Sequence, residues 1–239
     1  IMTLFIDSGL PGRPIFTGIS NDTGIDSTDL VTRASSFSLI GTVAEPNLTI
    51  RVYRNGVLSG VTKSTENGSF TVAVSGLVEA EYQFTAESIN TAGTSSGEGI
   101  PLFVAIDLTA PGTPENIIIS DDLGFNSTDM LTSDGSISVG GIAEPGSLVE
   151  VLLAGQSRRA YADDETGSFS VSYEDITLSD GAYSVQVLAY DVAGNRSARA
   201  ATATVRIDTS APSLLLSRLE TDTGLSAIDF ITSDTTPTL

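Results

Sequence analysis

The sequence predicts an all-β protein, and three features carry that reading. Segments are short, alternate between apolar and polar residues, and are rich in Val, Ile, Thr, Phe and Tyr, while no helical period is sustained. Asn55-Gly56 stands between two such segments, and both residues accept the positive φ of a type I′ hairpin turn. The pattern repeats after about 100 residues. About seven strands in such a span, with turns at short spacing, indicate an immunoglobulin-like β-sandwich, with a small barrel as the alternative. The chain is therefore expected to be a tandem array of such sandwiches arranged end to end.

In the first repeat, strands are expected at 15–19, 37–43, 48–54, 57–63, 69–74, 82–89 and 100–106. The repeat itself is carried by matching landmarks. Asn21-Asp22-Thr23-Gly24-Ile25-Asp26-Ser27-Thr28-Asp29 matches Asp121-Asp122-Leu123-Gly124-Phe125-Asn126-Ser127-Thr128-Asp129, and a third copy begins at Thr221-Asp222-Thr223-Gly224. Ala44-Glu45-Pro46 recurs as Ala143-Glu144-Pro145, and Gly68-Ser69-Phe70 as Gly167-Ser168-Phe169. Between units runs Ile106-Asp107-Leu108-Thr109-Ala110-Pro111, echoed at Ile6 to Pro11 and Ile207 to Pro212. Proline fixes its own φ and holds the preceding residue extended, so each seam is a short stiff connector bearing an aspartate. These landmarks divide the chain into the last strand of a preceding unit (1–7), two units (8–107 and 108–208), and the truncated start of a third (209–239).

Composition narrows the chemistry. The chain of 239 residues is 40% hydrophobic, enough to bury cores, and no apolar run approaches the roughly 20 residues that span a bilayer. No membrane insertion is expected. Thirty acidic against eleven basic residues give a net charge of −19, which repels phosphate backbones, so nucleic acid is not an expected partner. Cysteine and histidine are absent, which excludes disulfides, the usual zinc ligand sets, cysteine nucleophiles and histidine bases. No catalytic residue is assigned. Ile1 to Ile6 lacks the basic stretch and apolar core of a signal peptide, and the chain reads as a piece of a longer array.

The acids point to a metal. In a sandwich, the loops with Glu45 or Glu144, with Glu66 or Asp164, and with Asn90 or Asp191 lie at the pole where the incoming connector arrives. The opposite pole carries Asp22 and Asp29, or Asp122 and Asp129, and the outgoing connector aspartate, Asp107 or Asp208. End-to-end stacking is then expected to bring Asp107, Asp22 and Asp29 towards Glu144, Asp164 and Asp191. Two charges 5 Å apart repel by roughly 3 kcal/mol at an effective dielectric near 20, so such a cluster needs a cation. Oxygen ligands without nitrogen or sulfur suit calcium, with its six to eight ligands and tolerant geometry, better than magnesium. Turn capping by aspartate is the competing explanation, strongest for Asp22 and Asp122.

With these residues in place, the chain resembles the bacterial immunoglobulin-like repeats of giant type I secreted, calcium-binding adhesins. The resemblance rests on Ile-Asp-x-x-Ala-Pro at the seams, on Asp22-Thr23-Gly24 and Asp122-Leu123-Gly124 with Asp29 and Asp129 after them, on Ala-Glu-Pro, and on Asp191-Val192-Ala193-Gly194-Asn195-Arg196-Ser197. It implies a secreted, surface-exposed rod stiffened by calcium, whose partners are its own neighbouring repeats and whose host-cell or surface ligand is bound by another domain. The first unit departs from the pattern, with Asn90 in place of Asp191 and Thr65 in place of Asp164. Net charges of −5 and −10 for the two units agree, so the seam at Asp7 is expected to bind calcium more weakly than that at Asp107. The alternatives are an adhesive or carbohydrate-binding module, disfavoured by the absence of Trp, and a two-carboxylate glycosidase, disfavoured because the acids recur with the repeat.

Overall fold

The computed structural model describes residues 9–213 and Ser233, and there it contains sixteen β-strands and no helix. Asp7 with residues 6–8 of its seam, and the third copy after Ser213 apart from Ser233, lie outside the described residues. In the first unit the strands are β1 (Ile15–Ile19), β2 (Val31–Thr32), β3 (Phe37–Thr42), β4 (Thr49–Arg54), β5 (Val57–Lys63), β6 (Ser69–Val74), β7 (Ala80–Ile89) and β8 (Leu102–Ile106). The second unit repeats them as β9 (Glu115–Ile119), β10 (Leu131–Thr132), β11 (Ser138–Ile142), β12 (Leu148–Leu153), β13 (Gln156–Tyr161), β14 (Ser168–Ser172), β15 (Gly181–Tyr190) and β16 (Ala201–Ile207). Each unit is a three-stranded sheet facing a five-stranded one: β1-β3-β6 over β2-β8-β7-β4-β5, then β14-β11-β9 over β10-β16-β15-β12-β13.

Alternation decides which face is buried. In β3 and β6, Phe37, Leu39, Phe70, Val72 and Val74 turn inwards to meet Ile50, Val52, Phe84 and Val104 of the opposing sheet. The second unit has a separate core of Ile137, Val139, Val149, Val151, Tyr173, Val185, Val187 and Val205. Each such side chain contributes roughly 1.5–3 kcal/mol by leaving water, and the two cores explain why the chain forms two bodies rather than one. At the start of β7 the Tyr82 hydroxyl donates to Val78 O at 3.2 Å, and Tyr183 repeats this at the start of β15 with Ser179 O at 3.0 Å. This tyrosine corner is a mark of immunoglobulin-like sandwiches.

Asn55 (φ 49°) and Gly56 (φ 78°) form the expected tight turn between β4 and β5. The sequence does not reveal β2 and β10, two residues each, which pair in parallel with β8 and β16. A strand of two residues shows no alternation. Their role is to clasp the loop after β1 or β9 beside the outgoing connector: Asp107 N donates to Thr32 O and Asp208 N to Thr132 O, each at 3.0 Å.

Candidate functional site at the joint between the units

The loop between β1 and β2 is shaped by its own carboxylates. Asp22 Oδ2 accepts from Leu30 N at 3.0 Å, Asp26 Oδ1 from the amide and hydroxyl of Thr28, and Asp29 Oδ1 from Val31 N at 2.9 Å. Asp122, Asn126 and Asp129 do the same for Met130, Thr128 and Leu131. Leu30 and Met130 are held at φ 64° and 59°, a left-handed conformation that costs apolar residues about 1–2 kcal/mol and persists because the carboxylates cap it. Turn capping thus accounts for one oxygen of each aspartate. It leaves the other: Asp22 Oδ1 and Asp122 Oδ1 are both buried without a hydrogen-bond partner. Burial raises the Asp22 carboxyl above its ordinary range, with Asp29 and Asp26 adding to the rise and the Leu30 amide opposing it.

The same loop makes the joint. Thr23 Oγ1 donates to Ala193 O at 2.9 Å and Ile25 N to Val192 O at 3.3 Å, so the turn 23–25 of the first unit docks on the loop between β15 and β16 of the second. Gly24 permits this approach, since a Cβ there would lie 2.1 Å from Val192 O. Asp191 is 5% exposed and among the described residues forms no ion pair. Its carboxylate accepts from Asn195 N at 2.8 Å and from Asn195 Nδ2 at 2.9 Å, and the same Nδ2 donates to Asp107 O at 2.9 Å. The joint therefore brings together Asp107, through its carbonyl, and Asp191.

The remaining acids are dispersed. Asp107 Oδ1 folds back on Thr109 N at 2.9 Å and Asp208 Oδ1 on Ser210 N at 3.1 Å. Glu144 and Asp164 are exposed. Glu45, in the first unit, accepts from Gly12 N through Oε2 at 3.0 Å, which explains a glutamate before proline as a clamp on the incoming connector. Among the described residues no three acidic side chains converge to hold a metal. Thr65 is the structural counterpart of Asp163 rather than Asp164: Gly68 N donates to Thr65 O and Gly167 N to Asp163 O, the second unit having one more residue in this turn. Glu79 and Asp180, which are not among the sequence-predicted site residues, hold the outgoing connectors. Glu79 Oε2 accepts from Thr109 Oγ1 at 2.6 Å, and Asp180 from Thr209 N, Thr209 Oγ1 and Ser210 Oγ. Their matching places in the two repeats were the available signal.

Two kinds of place offer oxygen donors that a hard cation could use. One is the unsatisfied Asp22 or Asp122 oxygen, because a buried carboxylate oxygen without a donor costs free energy that a cation removes. The other is the Asp191 carboxylate with the Asp107 carbonyl, where a cation would have to displace the Asn195 amide that now donates to both. Calcium bound at either would neutralise carboxylate charge and fix loop geometry.

Fold and joint together define a pair of immunoglobulin-like sandwiches docked head to tail. Residues 110–209 match the family described as "Bacterial Ig-like domain", a stretch taking in nearly all of the second unit. Among solved structures, the chain is similar to the fibronectin(III)-like modules of Clostridium thermocellum CbhA, at 14% identity over 82% of this chain and 94% of that one, with a TM-score of 0.50. It is also similar to a Ca2+-stabilized adhesin that helps an Antarctic bacterium reach out and bind ice (19% identity, 85% of this chain, 50% of that one, TM-score 0.42). A further match is to a tetra-tandem repeat in the extending region of a large adhesion protein (19% identity, 83% and 50%, TM-score 0.33). No curated protein matches. At 14% identity and a TM-score of 0.50, the likeness to the CbhA modules shows the sandwich fold alone.

Proposed function

We propose that the chain is a non-catalytic extender segment of a bacterial surface adhesin, exported by type I secretion. Its immunoglobulin-like units, docked end to end and stiffened by calcium, space a terminal adhesive domain from the cell. The observation that carries this reading is the joint, where one asparagine ties the buried Asp191 of one unit to the Asp107 carbonyl of the other. A contact made of backbone carbonyls and loop tips sets the orientation of one unit on the next. Support also comes from the family match of residues 110–209 and from the seam motifs that resemble adhesin repeats. Its partners are the neighbouring repeats, and the host-cell or surface ligand belongs to another domain. Calcium is the cation that the oxygen-only donors favour.

Small-angle scattering and thermal melts in millimolar calcium and in excess chelator test the proposal. Chelation is expected to shorten the maximum dimension and lower the melting temperature. A chain whose shape and melting are both indifferent to calcium is no calcium-stiffened rod.

A further inference from the structure

Beside the joint lies a cleft of about 460 Å³, between the 23–25 turn of the first unit and the five-stranded sheet of the second. Tyr161, Leu148 and Tyr190 stand in register across β13, β12 and β15 and line it together. Tyr161, on the edge strand, is 61% exposed, so the core does not claim this ring. Arg159 comes from the next row, with its guanidinium 5.8 Å from the centre of the Tyr190 ring and 2.8 Å from Glu150 Oε2. Arg33 reaches the cleft from the first unit. It forms no ion pair among the described residues, in a chain where acids outnumber bases thirty to eleven.

None of this recurs in the first unit. Strand register puts Lys63, Thr49 and Ile89 where the second unit has Tyr161, Leu148 and Tyr190, and Val61 where it has Arg159. Ser133 follows Thr132 where Arg33 follows Thr32. Features of the sandwich itself repeat with the unit, as the Asp22 loop and the tyrosine corner do. Among the described residues this pairing of exposed tyrosine and arginine stands at the Asp107 seam, and the sandwich core does not require it.

We propose that this cleft binds a carboxylated pyranose, a sugar of the uronic or sialic acid type at the end of a glycan. The Tyr161 ring offers a flat apolar face for the C–H side of a sugar, and phenol hydroxyls exchange hydrogen bonds with its hydroxyls. The Arg33 guanidinium has the planar fork that pairs with a carboxylate through two hydrogen bonds. Glu150 engages Arg159 and leaves Arg33 as the cation with charge to spare. The size suits one or two sugar rings. Longer polyanions are opposed by the net charge of −19, whereas a single carboxylate seated on arginine is not.

The test titrates the whole chain with the methyl glycosides of glucuronic acid and N-acetylneuraminic acid, followed by NMR of the tyrosine rings. Methyl glucoside serves as the neutral control and sulfate as the bare anion. An acidic sugar is expected to shift the Tyr161 and Tyr190 signals to saturation, with methyl glucoside and sulfate each at least about tenfold weaker. Arg33→Ala and Tyr161→Ala, both at exposed positions, should each weaken binding about tenfold with the melting temperature unchanged. The proposal is overturned if neither acidic sugar saturates, if sulfate matches the sugars, or if Arg33→Ala binds as well as the parent. Calcium-dependent dimensions without sugar binding would sink the cleft alone, and sugar binding with calcium-independent dimensions would sink the extender reading alone.

Discussion

Asn195 Nδ2 donates to the Asp191 carboxylate and to the Asp107 carbonyl, each at 2.9 Å, so one amide group links the units beside the contacts of the 23–25 turn. The group is nine-tenths buried, and water cannot readily replace it. Asn195→Ala should leave a buried carboxylate oxygen short of a donor, at a cost of about 1–3 kcal/mol to the second unit. It should also broaden the distribution of inter-unit angles. Denaturant unfolding and residual dipolar couplings measure the two effects, and unchanged couplings would mean that the joint is held by other contacts.

Gly24 and Gly124 occupy the same place in the repeat but different surroundings. A Cβ at Gly24 meets Val192 O at 2.1 Å, while at Gly124 its nearest neighbour is Leu131 O at 3.2 Å. Backbone on both sides leaves no soft side chain to yield at Gly24. Gly24→Ala is expected to separate the 23–25 turn from the 192–194 loop and lengthen or bend the chain in scattering, with both cores still melting cooperatively. Gly124→Ala should not move this joint.

Much of the fold was legible in the sequence because period-two alternation and the Asn55-Gly56 turn are local signals. Five of the seven expected strands of the first unit differ from the observed ones by no more than one residue at an end. What could not be read were contacts fixed by three dimensions. The strands β2 and β10 are too short to alternate, and Asn195 lies 88 residues from its acceptor. The acids were visible as residue types, but where each carboxylate points was not. Asp29, Asp107 and Glu45 turn onto nearby amides, and only the structure separates an aspartate whose oxygens are both engaged, such as Asp191, from one like Asp22 with an oxygen left over.

That leftover oxygen makes a prediction of opposite sign in the two conditions. Asp122→Asn keeps an acceptor for Met130 N and removes the charge. Without calcium the variant should be more stable than the parent, because a buried unpaired carboxylate oxygen is no longer ionised. With calcium it should be less stable, having lost a ligand. Melting curves of the parent and variant should therefore cross as calcium is added, and parallel curves would show that Asp122 does not bind the ion.

Acid should loosen the second unit before the first. Hydrogen bonds or ion pairs hold four of its carboxyls below their ordinary values: Glu150 mainly through Ser157, Asp163 through Thr166, Asp175 through Arg158 and Asp180 through Thr209. The first unit has two such groups, Asp26 through Thr28 and Glu87 through Ser95 and Tyr53, and in Asp22 one that is raised. A carboxyl depressed in the folded state lends stability above its ordinary value, 3.8 for Asp and 4.5 for Glu, and loses it as pH falls through the folded value. A raised carboxyl works in reverse: Asp22 favours folding below 3.8 and opposes it as pH rises through its higher folded value, so acidification partly protects the first unit. Urea unfolding at constant ionic strength from about pH 6 to about pH 3, read separately from the methyl signals of Val149 and Val151 and of Ile50 and Val52, should show the steeper fall in the second unit. A steeper fall in the first would mean that its loop carboxylates outweigh the clamps on Thr209 and Thr166.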